Sequence, residues 1–464
     1  MAQIPASAPL GRLASRLRTL GLWRQNAHLH DVAVLAASSV GSQIIVIVAT
    51  PILTRLYTTA DFATFGLFMA TTSILGIISC GCYEQAVVAC KGSKEAINTL
   101  LLSLSVTLIT TSLCAATVLA WKGPLNRVMV APNDSHVVYF LPFAVFAIGY
   151  SESIKHWFVR RARFDDAASS RVWQSVVGSI IQVVAGFGRM MAGTGLVAGR
   201  VVGILLSGVI LQRRLGAEDF KSIRHSAAIG EMLAAAKRHR GFPLYLSGSL
   251  VMAQLAYWSP AYLLAIYYGA NETGSYALVV RVISVPMQFV GDAFQKVLYQ
   301  RAADEANRCG APGASVTRTL ASLLGLAAIP SVFLVLFGSF FFRWAFGTPW
   351  TLAGEMASCV APMVFLNLVV CPLYPLFSIQ RKQRTLFYLQ VAKLVLSFLP
   401  VVVAAYMHAS AKAAILGYSV GQSAMFALTL VLALRYCRMP LLTTAKGIGQ
   451  TYLQVIRMRE VPLS

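Results

Sequence analysis

Long apolar runs follow one another down this chain, separated by short seams rich in Arg, Lys, Gly, Pro and Thr. A helix rises 1.5 Å per residue, so roughly 20 mostly apolar residues cross the hydrocarbon of a bilayer. About twelve such windows can be read, near residues 32–54, 62–83, 97–121, 136–158, 168–190, 195–213, 242–266, 274–297, 315–342, 351–378, 385–408 and 412–435. The pattern predicts an all-α polytopic membrane protein.

Composition supports this and changes the meaning of the charge. The 464 residues are 57% hydrophobic and 12% charged, with a mean hydropathy of +0.67, whereas soluble domains carry about a quarter charged residues. A net charge of +22 in a soluble protein would suggest nucleic acid; here it falls on one side of the predicted spans. With a cytoplasmic N-terminus, the cytoplasmic segments hold Arg12, Arg16, Arg18 and Arg24, then Lys155, Arg160, Arg161 and Arg163, then Lys237, Arg238 and Arg240, and Arg381, Lys382 and Arg384. The opposite side receives only Arg55, Lys122, Arg127, Arg189, Arg343 and Lys412. This positive-inside asymmetry predicts an even number of spans and two cytoplasmic termini, with the basic loops facing anionic lipid.

The first thirty residues lack a continuous apolar core and are not expected to form a cleavable signal peptide. Leu10, Leu13, Leu17 and Leu20 recur at helical spacing beside Arg12, Arg16 and Arg18, which fits either an interfacial amphipathic helix or a disordered basic tail. The eight cysteines show no CxxC or Cys/His ligand spacing and read as small apolar fillers. No metal or cofactor is expected.

The chain divides into two comparable halves. Gly41, Pro51, Tyr57, then "DFATFGLF" and "CYEQAVV" recur in order as Gly248, Pro260, Tyr267, then "ETGSYALV" and "AFQKVLY". Repeats of this kind build many transporters, with the path where they meet. The predicted segments are a basic N-terminal stretch (1–31), a first lobe (32–213), a cytoplasmic linker (214–240), a second lobe (241–436) and a cytoplasmic tail (437–464). At the seam "PILTRLYTTADF", Pro51 is expected to kink or end the first helix and "TTAD" to turn tightly into the second. Gly195, Gly199 and Gly203 form a small-residue stripe read as close helix packing.

The run "TPILTRLYTTADFATFGLF", followed by "SILGIISCGCYEQAVVACKGSKEAINTLL", resembles the N-terminal signature of Wzx-type polysaccharide-unit flippases. These belong to the multidrug/oligosaccharidyl-lipid/polysaccharide exporter superfamily. The second half adds "GSYALVVRVISVPMQFVGDAFQKV", similar to the family's eighth helix. Ala63 stands where glycine is common in relatives. The resemblance implies two six-helix pseudo-repeat lobes around a central cavity that opens alternately to each side of a bacterial inner membrane. It implies an undecaprenyl-pyrophosphate-linked oligosaccharide as cargo for O-antigen, capsule or exopolysaccharide assembly. A polysaccharide polymerase and a chain-length regulator are the protein partners it suggests; nucleic acid is not expected.

A pyrophosphate crossing a bilayer needs cations in a cavity, and a glycan needs aromatic and polar walls. Arg200, Arg281 and Lys393 fall inside predicted spans, and each would cost about 3 kcal/mol facing lipid at mid-helix. Arg281 lies about 10 Å in from one end of its window and Lys393 about 12 Å in from the other, which favours them as pyrophosphate contacts. Arg200 and Arg55 lie nearer the membrane surface, where headgroup contact is the plainer reading. Glu84, Glu152, Asp292 and Glu355 are candidates for ion coupling or gating. Glu152 also has Lys155 and His156 on its own helix face and is expected to pair locally; Glu84 and Asp292 could latch the two lobes. Tyr257, Trp258 and Tyr262 could stack on sugars.

No GxxxxGK[ST], DxD, HExxH or nucleophile elbow occurs. The chain therefore reads as a transporter without covalent chemistry. A multidrug extruder of the same superfamily is disfavoured because cationic drugs suit an acidic cavity. A membrane glycan polymerase or ligase is disfavoured by short external loops, and a non-transporting scaffold by the cost of deep cations.

Overall fold

A computed structural model describes residues 27–129, 136–188, 192–309, 313–380, 382–437 and 439. The N-terminal leucine repeat, Arg189, Arg381 and the tail beyond 439 lie outside them, as does the side chain of Asp292. Eight helices form the first half: α1 (Ala27–Leu56), α2 (Thr59–Ser79), α3 (Tyr83–Ala89), α4 (Ser93–Ala120), α5 (Lys122–Val128), α6 (Phe140–Arg160), α7 (Phe164–Phe187) and α8 (Ala192–Arg213). Two connector helices follow, α9 (Ala217–Ser226) and α10 (Ile229–Arg238). The second half holds α11 (Ser247–Tyr267), α12 (Ala270–Cys309), α13 (Gly313–Phe346), α14 (Thr351–Val370), α15 (Tyr374–Ile379), α16 (Gln383–Tyr406) and α17 (Ala411–Tyr436).

Twelve of these helices have twenty residues or more, as the apolar windows predict, and among the described residues ten helical stretches are long and apolar enough to cross a membrane. The two long helices not among the ten are α7 and α12. Both carry polar groups along their length, Gln174 and Gln182 on α7 and Arg281 and Gln295 on α12. Polar groups at membrane depth must face protein or water, and these four line the interior cavity.

The halves pack by one scheme. In the first, α1 packs on α7, α7 on α8, α4 on α6, α6 on α8 and α2 on α6. Counting only the long helices, the corresponding pairs in the second are α11 on α16, α16 on α17, α13 on α14, α14 on α17 and α12 on α14. The sequence repeat is thus a structural repeat, and the lobes meet chiefly through their second helices, α2 and α12.

Pro51 does not end α1, one of the two outcomes expected from sequence, for the helix continues to Leu56. The hydroxyls of Thr50 and Thr54 donate to the carbonyls of Val46 and Pro51 on either side of the proline. The turn that follows has the predicted tightness. Thr58 caps α2, its hydroxyl accepting from the Asp61 amide while its own amide donates to Asp61 Oδ2 at 2.8 Å, a capping box. The glycine stripe packs α8 onto α7: a Cβ at Gly199 would stand 2.7 Å from the Gly178 carbonyl oxygen.

The connector is fastened to the first lobe. Arg161 pairs with Asp219 at 2.9 Å, Lys94 with Glu231 at 2.9 Å and Arg238 with Glu95 at 2.7 Å. Exposed pairs contribute little singly, but Asn98 adds two bonds, accepting from the Ala228 amide and donating to the Ser226 carbonyl. The chain then passes through a π-helical turn, Phe242–Leu246, into α11; such turns frequently mark functional sites.

Candidate functional site

Between the lobes lie two adjoining chambers of about 620 and 350 Å³ that share Met69, Ser73, Gln174, Arg200 and Gln254. The larger is walled by α1, α2, α7, α8, α11 and α12, with Asn367 of α14 and Cys371 just beyond it. Its lining includes Arg281 and Arg200 and, among the described residues, no carboxylate. The smaller reaches the end of α2, where Gly81 and Cys82 adopt consecutive left-handed conformations (φ 59° and 58°). That reversal starts α3 and sets the carboxyl group of Glu84 into the chamber, alongside Glu152 and His156.

Arg281 is held by groups from three helices of the opposite lobe. Its Nε donates to Thr50 Oγ1 at 3.1 Å, an Nη donates to Gln182 Oε1 at 3.3 Å, and its guanidinium lies 5.4 Å from the Phe65 ring centroid. Gln182 is itself fixed: its Nε2 donates to the Leu196 carbonyl at 2.8 Å, so its oxygen must face Arg281. All of these partners are neutral. Among the described residues no carboxylate pairs with Arg281 or Arg200, and the two guanidinium groups lie close enough to repel each other. Glu152, in the smaller chamber that Arg200 also lines, partly offsets the charge of Arg200, whereas Arg281 has neutral partners only, and a guanidinium so placed in a low-dielectric cavity attracts an anion.

Tyr257 and Trp258 also line the larger chamber, edge to face with ring centroids 5.3 Å apart. Tyr262 lines neither chamber; its hydroxyl meets Thr71 Oγ1 across the lobe boundary at 2.7 Å. Glu84 is buried and its Oε2 has no hydrogen-bond partner. Glu152 pairs with Lys155 as its spacing predicts. Glu355 pairs with Lys412 at 3.4 Å near the protein surface, and Arg55 is exposed at the end of α1; neither lines a chamber.

Lys393 is held inside the second lobe and lines neither chamber. It is 5% exposed, its Nζ donates to the Tyr374 hydroxyl at 2.6 Å, and the Phe426 ring centroid lies 3.6 Å away. Insertion cost keeps a cation out of lipid, and the interior of a lobe meets that requirement as well as a cavity does. Sequence reasoning passed over Thr50, Gln174 and Gln182; the signal that could have found the glutamines is their spacing on α7, every fourth residue with Gly178 between.

The lobes close on each other where α1 turns into α2. Phe62 meets Trp350 at 4.8 Å between centroids, and Trp350 Nε1 donates to the Thr54 carbonyl at 3.1 Å. At Gly274 the chains come so close that a Cβ would fall 1.8 Å from the Thr59 carbonyl oxygen. The chambers lie on the connector side of this contact.

A family model described as polysaccharide biosynthesis protein matches residues 28–299. Among solved structures, lipid II flippase MurJ in an inward closed conformation is similar over 93% of this chain and 93% of its own, at 10% identity and a TM-score of 0.71. A multidrug resistance MATE family transporter of the MOP superfamily, inward-facing, is similar over 85% of this chain and 94% of its own, at 15% identity and a TM-score of 0.66. A MOP superfamily transporter from Pyrococcus furiosus, described as having a binding pocket of reverse polarity, is similar over 88% and 95%, at 14% identity and a TM-score of 0.61. At such identities the likeness is one of fold. No curated protein sequence matches. The family match covers more than half of the 464 residues and agrees with both the sequence resemblance and the shared fold: the chain belongs to the polysaccharide biosynthesis protein family.

Proposed function

We propose that the chain flips an undecaprenyl-pyrophosphate-linked oligosaccharide repeat unit from the cytoplasmic to the periplasmic leaflet of a bacterial inner membrane by alternating access. The observation that carries this reading is the larger chamber, with Arg281 and Arg200 in its lining and, among the described residues, no carboxylate in that lining. The pyrophosphate accepts from these two guanidinium groups, Tyr257 and Trp258 face the first sugars, and the polyprenyl tail stays in lipid. At about 620 Å³ the chamber falls within the roughly 300–1,000 Å³ usual for small-molecule sites. Binding energy then biases a rocking of one lobe against the other about the α2–α12 contact. Glu84, buried with a free carboxylate oxygen in the smaller chamber, is our candidate for ion coupling. A drug extruder fits less well, since a cationic drug would enter a chamber of its own sign.

The test compares cells deleted for the gene, cells complemented with the intact chain and cells carrying Arg281→Ala at matched membrane levels. Repeat units stranded on the cytoplasmic leaflet in the deletion and in Arg281→Ala, and relieved by the intact chain, support the reading. Repeat units that reach the outer leaflet in the deletion but stay unpolymerised overturn it.

A further inference from the structure

At the connector end three side chains of different chemistry converge, two of them five residues apart and the third far along the chain. Cys90 ends α3, Glu95 lies in the first turn of α4, and His239 caps the C-terminus of α10. Cys90 Sγ lies 3.6 Å from His239 Nε2, Glu95 Oε1 lies 3.1 Å from that same nitrogen, and one ligand atom from each residue falls within 4.8 Å of the others. A hydrogen-bonded relay would run in series through both ring nitrogens. Here the thiol and the carboxylate both face Nε2, so three donor atoms point at one place.

The spacing matches a specific coordination. Zinc binds sulfur at about 2.3 Å and nitrogen or oxygen at about 2.0 Å, which at tetrahedral angles sets sulfur and nitrogen about 3.5 Å apart and nitrogen and oxygen about 3.3 Å apart. We infer that Cys90, Glu95 and His239 form a binding site for a borderline transition-metal dication of the zinc type, with water as fourth ligand. A thiolate and a carboxylate balance the dication's charge. Arg238, which donates to Glu95 Oε1 at 2.7 Å, orients the carboxylate and occupies one lone pair of that oxygen, leaving its other lone pair on the side of His239 Nε2 for the metal. Cys90 is 6% exposed while the side chains of His239 and Glu95 are 14% and 21% exposed, so the site is shielded yet reachable from solvent. Calcium and magnesium, which take oxygen ligands, do not suit a thiolate and an imidazole.

The position gives the site a consequence. His239 lies three residues before the π-helical turn that leads into α11, while Cys90 and Glu95 belong to the first lobe. A bound metal fastens the end of the connector to that lobe just ahead of the point where the second lobe begins.

The experiment uses the full-length chain, purified without a histidine tag, stripped with chelator and titrated with zinc, cobalt and magnesium by calorimetry and absorption. One cobalt per chain with a thiolate-to-cobalt charge-transfer band is expected, and no heat from magnesium. Cys90→Ser should remove the band, and His239→Gln should weaken zinc by about 100-fold or more, while Cys437→Ser changes neither. Absence of a thiolate band in the unsubstituted protein overturns the inference without any variant. So does a band that survives Cys90→Ser. Neither result bears on the flipping of lipid-linked sugars, which is read in cells.

Discussion

Arg281 and Lys393 show how one residue-level constraint admits two outcomes. Both are cations too costly to leave in lipid; one lines the chamber between the lobes, the other is sealed inside a lobe against Tyr374 and Phe426. At Arg281 the test is charge. Gln182→Glu places a carboxylate where a neutral oxygen now lies 3.3 Å from the guanidinium, and the expected outcome is at least a tenfold drop in flipping at unchanged protein level, read by leaflet-specific labelling of lipid-linked sugar. At Lys393 the test is stability. Tyr374→Phe strands a buried ammonium and should destabilise the fold by about 1–3 kcal/mol, lowering the melting temperature in detergent. Adding Lys393→Met removes the stranded charge and should recover most of that loss; a double variant as unstable as Tyr374→Phe alone would count against the account. The cost of charge in lipid made the inward direction of Arg281 legible in the sequence. It could not separate a cavity from a lobe interior, because both satisfy the same cost, and a neutral glutamine in a span gives no comparable signal.

At the scale of elements, the windows of apolar residues were legible because a spanning helix has no alternative way to satisfy its backbone. α7 is an informative exception: Arg171, Gln174 and Gln182 make it more polar than the other long helices of its half, and it is a cavity wall. Proline proved a weaker guide to helix ends, since α1 and α11 run through Pro51 and Pro260. The glycine stripe of α8 was read correctly as packing. Gly199→Ala puts a methyl group 2.7 Å from the Gly178 oxygen and should destabilise by about 1–3 kcal/mol through overpacking. Gly248→Ala, whose Cβ meets nothing within 4 Å, should be neutral or stabilise by up to about 1 kcal/mol. Melting temperatures of the two variants in the same detergent check the contrast.

At the scale of the whole molecule, the closed contact at the α1–α2 turn depends on the missing side chain of Gly274, which lets α12 reach the Thr59 carbonyl. Gly274→Leu cannot make that approach. The expected result is a molecule biased toward opening at that end, seen as several-fold faster maleimide labelling of a Thr50→Cys reporter from the Arg55 side. Unchanged labelling in a folded variant would show that closure does not pass through this contact. The repeated packing scheme has one more implication, through the connector whose ion pairs to Glu95, Lys94 and Arg161 bind it to the first half. Each half carries six long helices, so each enters the bilayer with the same orientation. A gene cut after Arg240 would leave the connector with the polypeptide that holds it, and its two products should insert independently and reassemble, as the separate products of an ancestral duplication would have done.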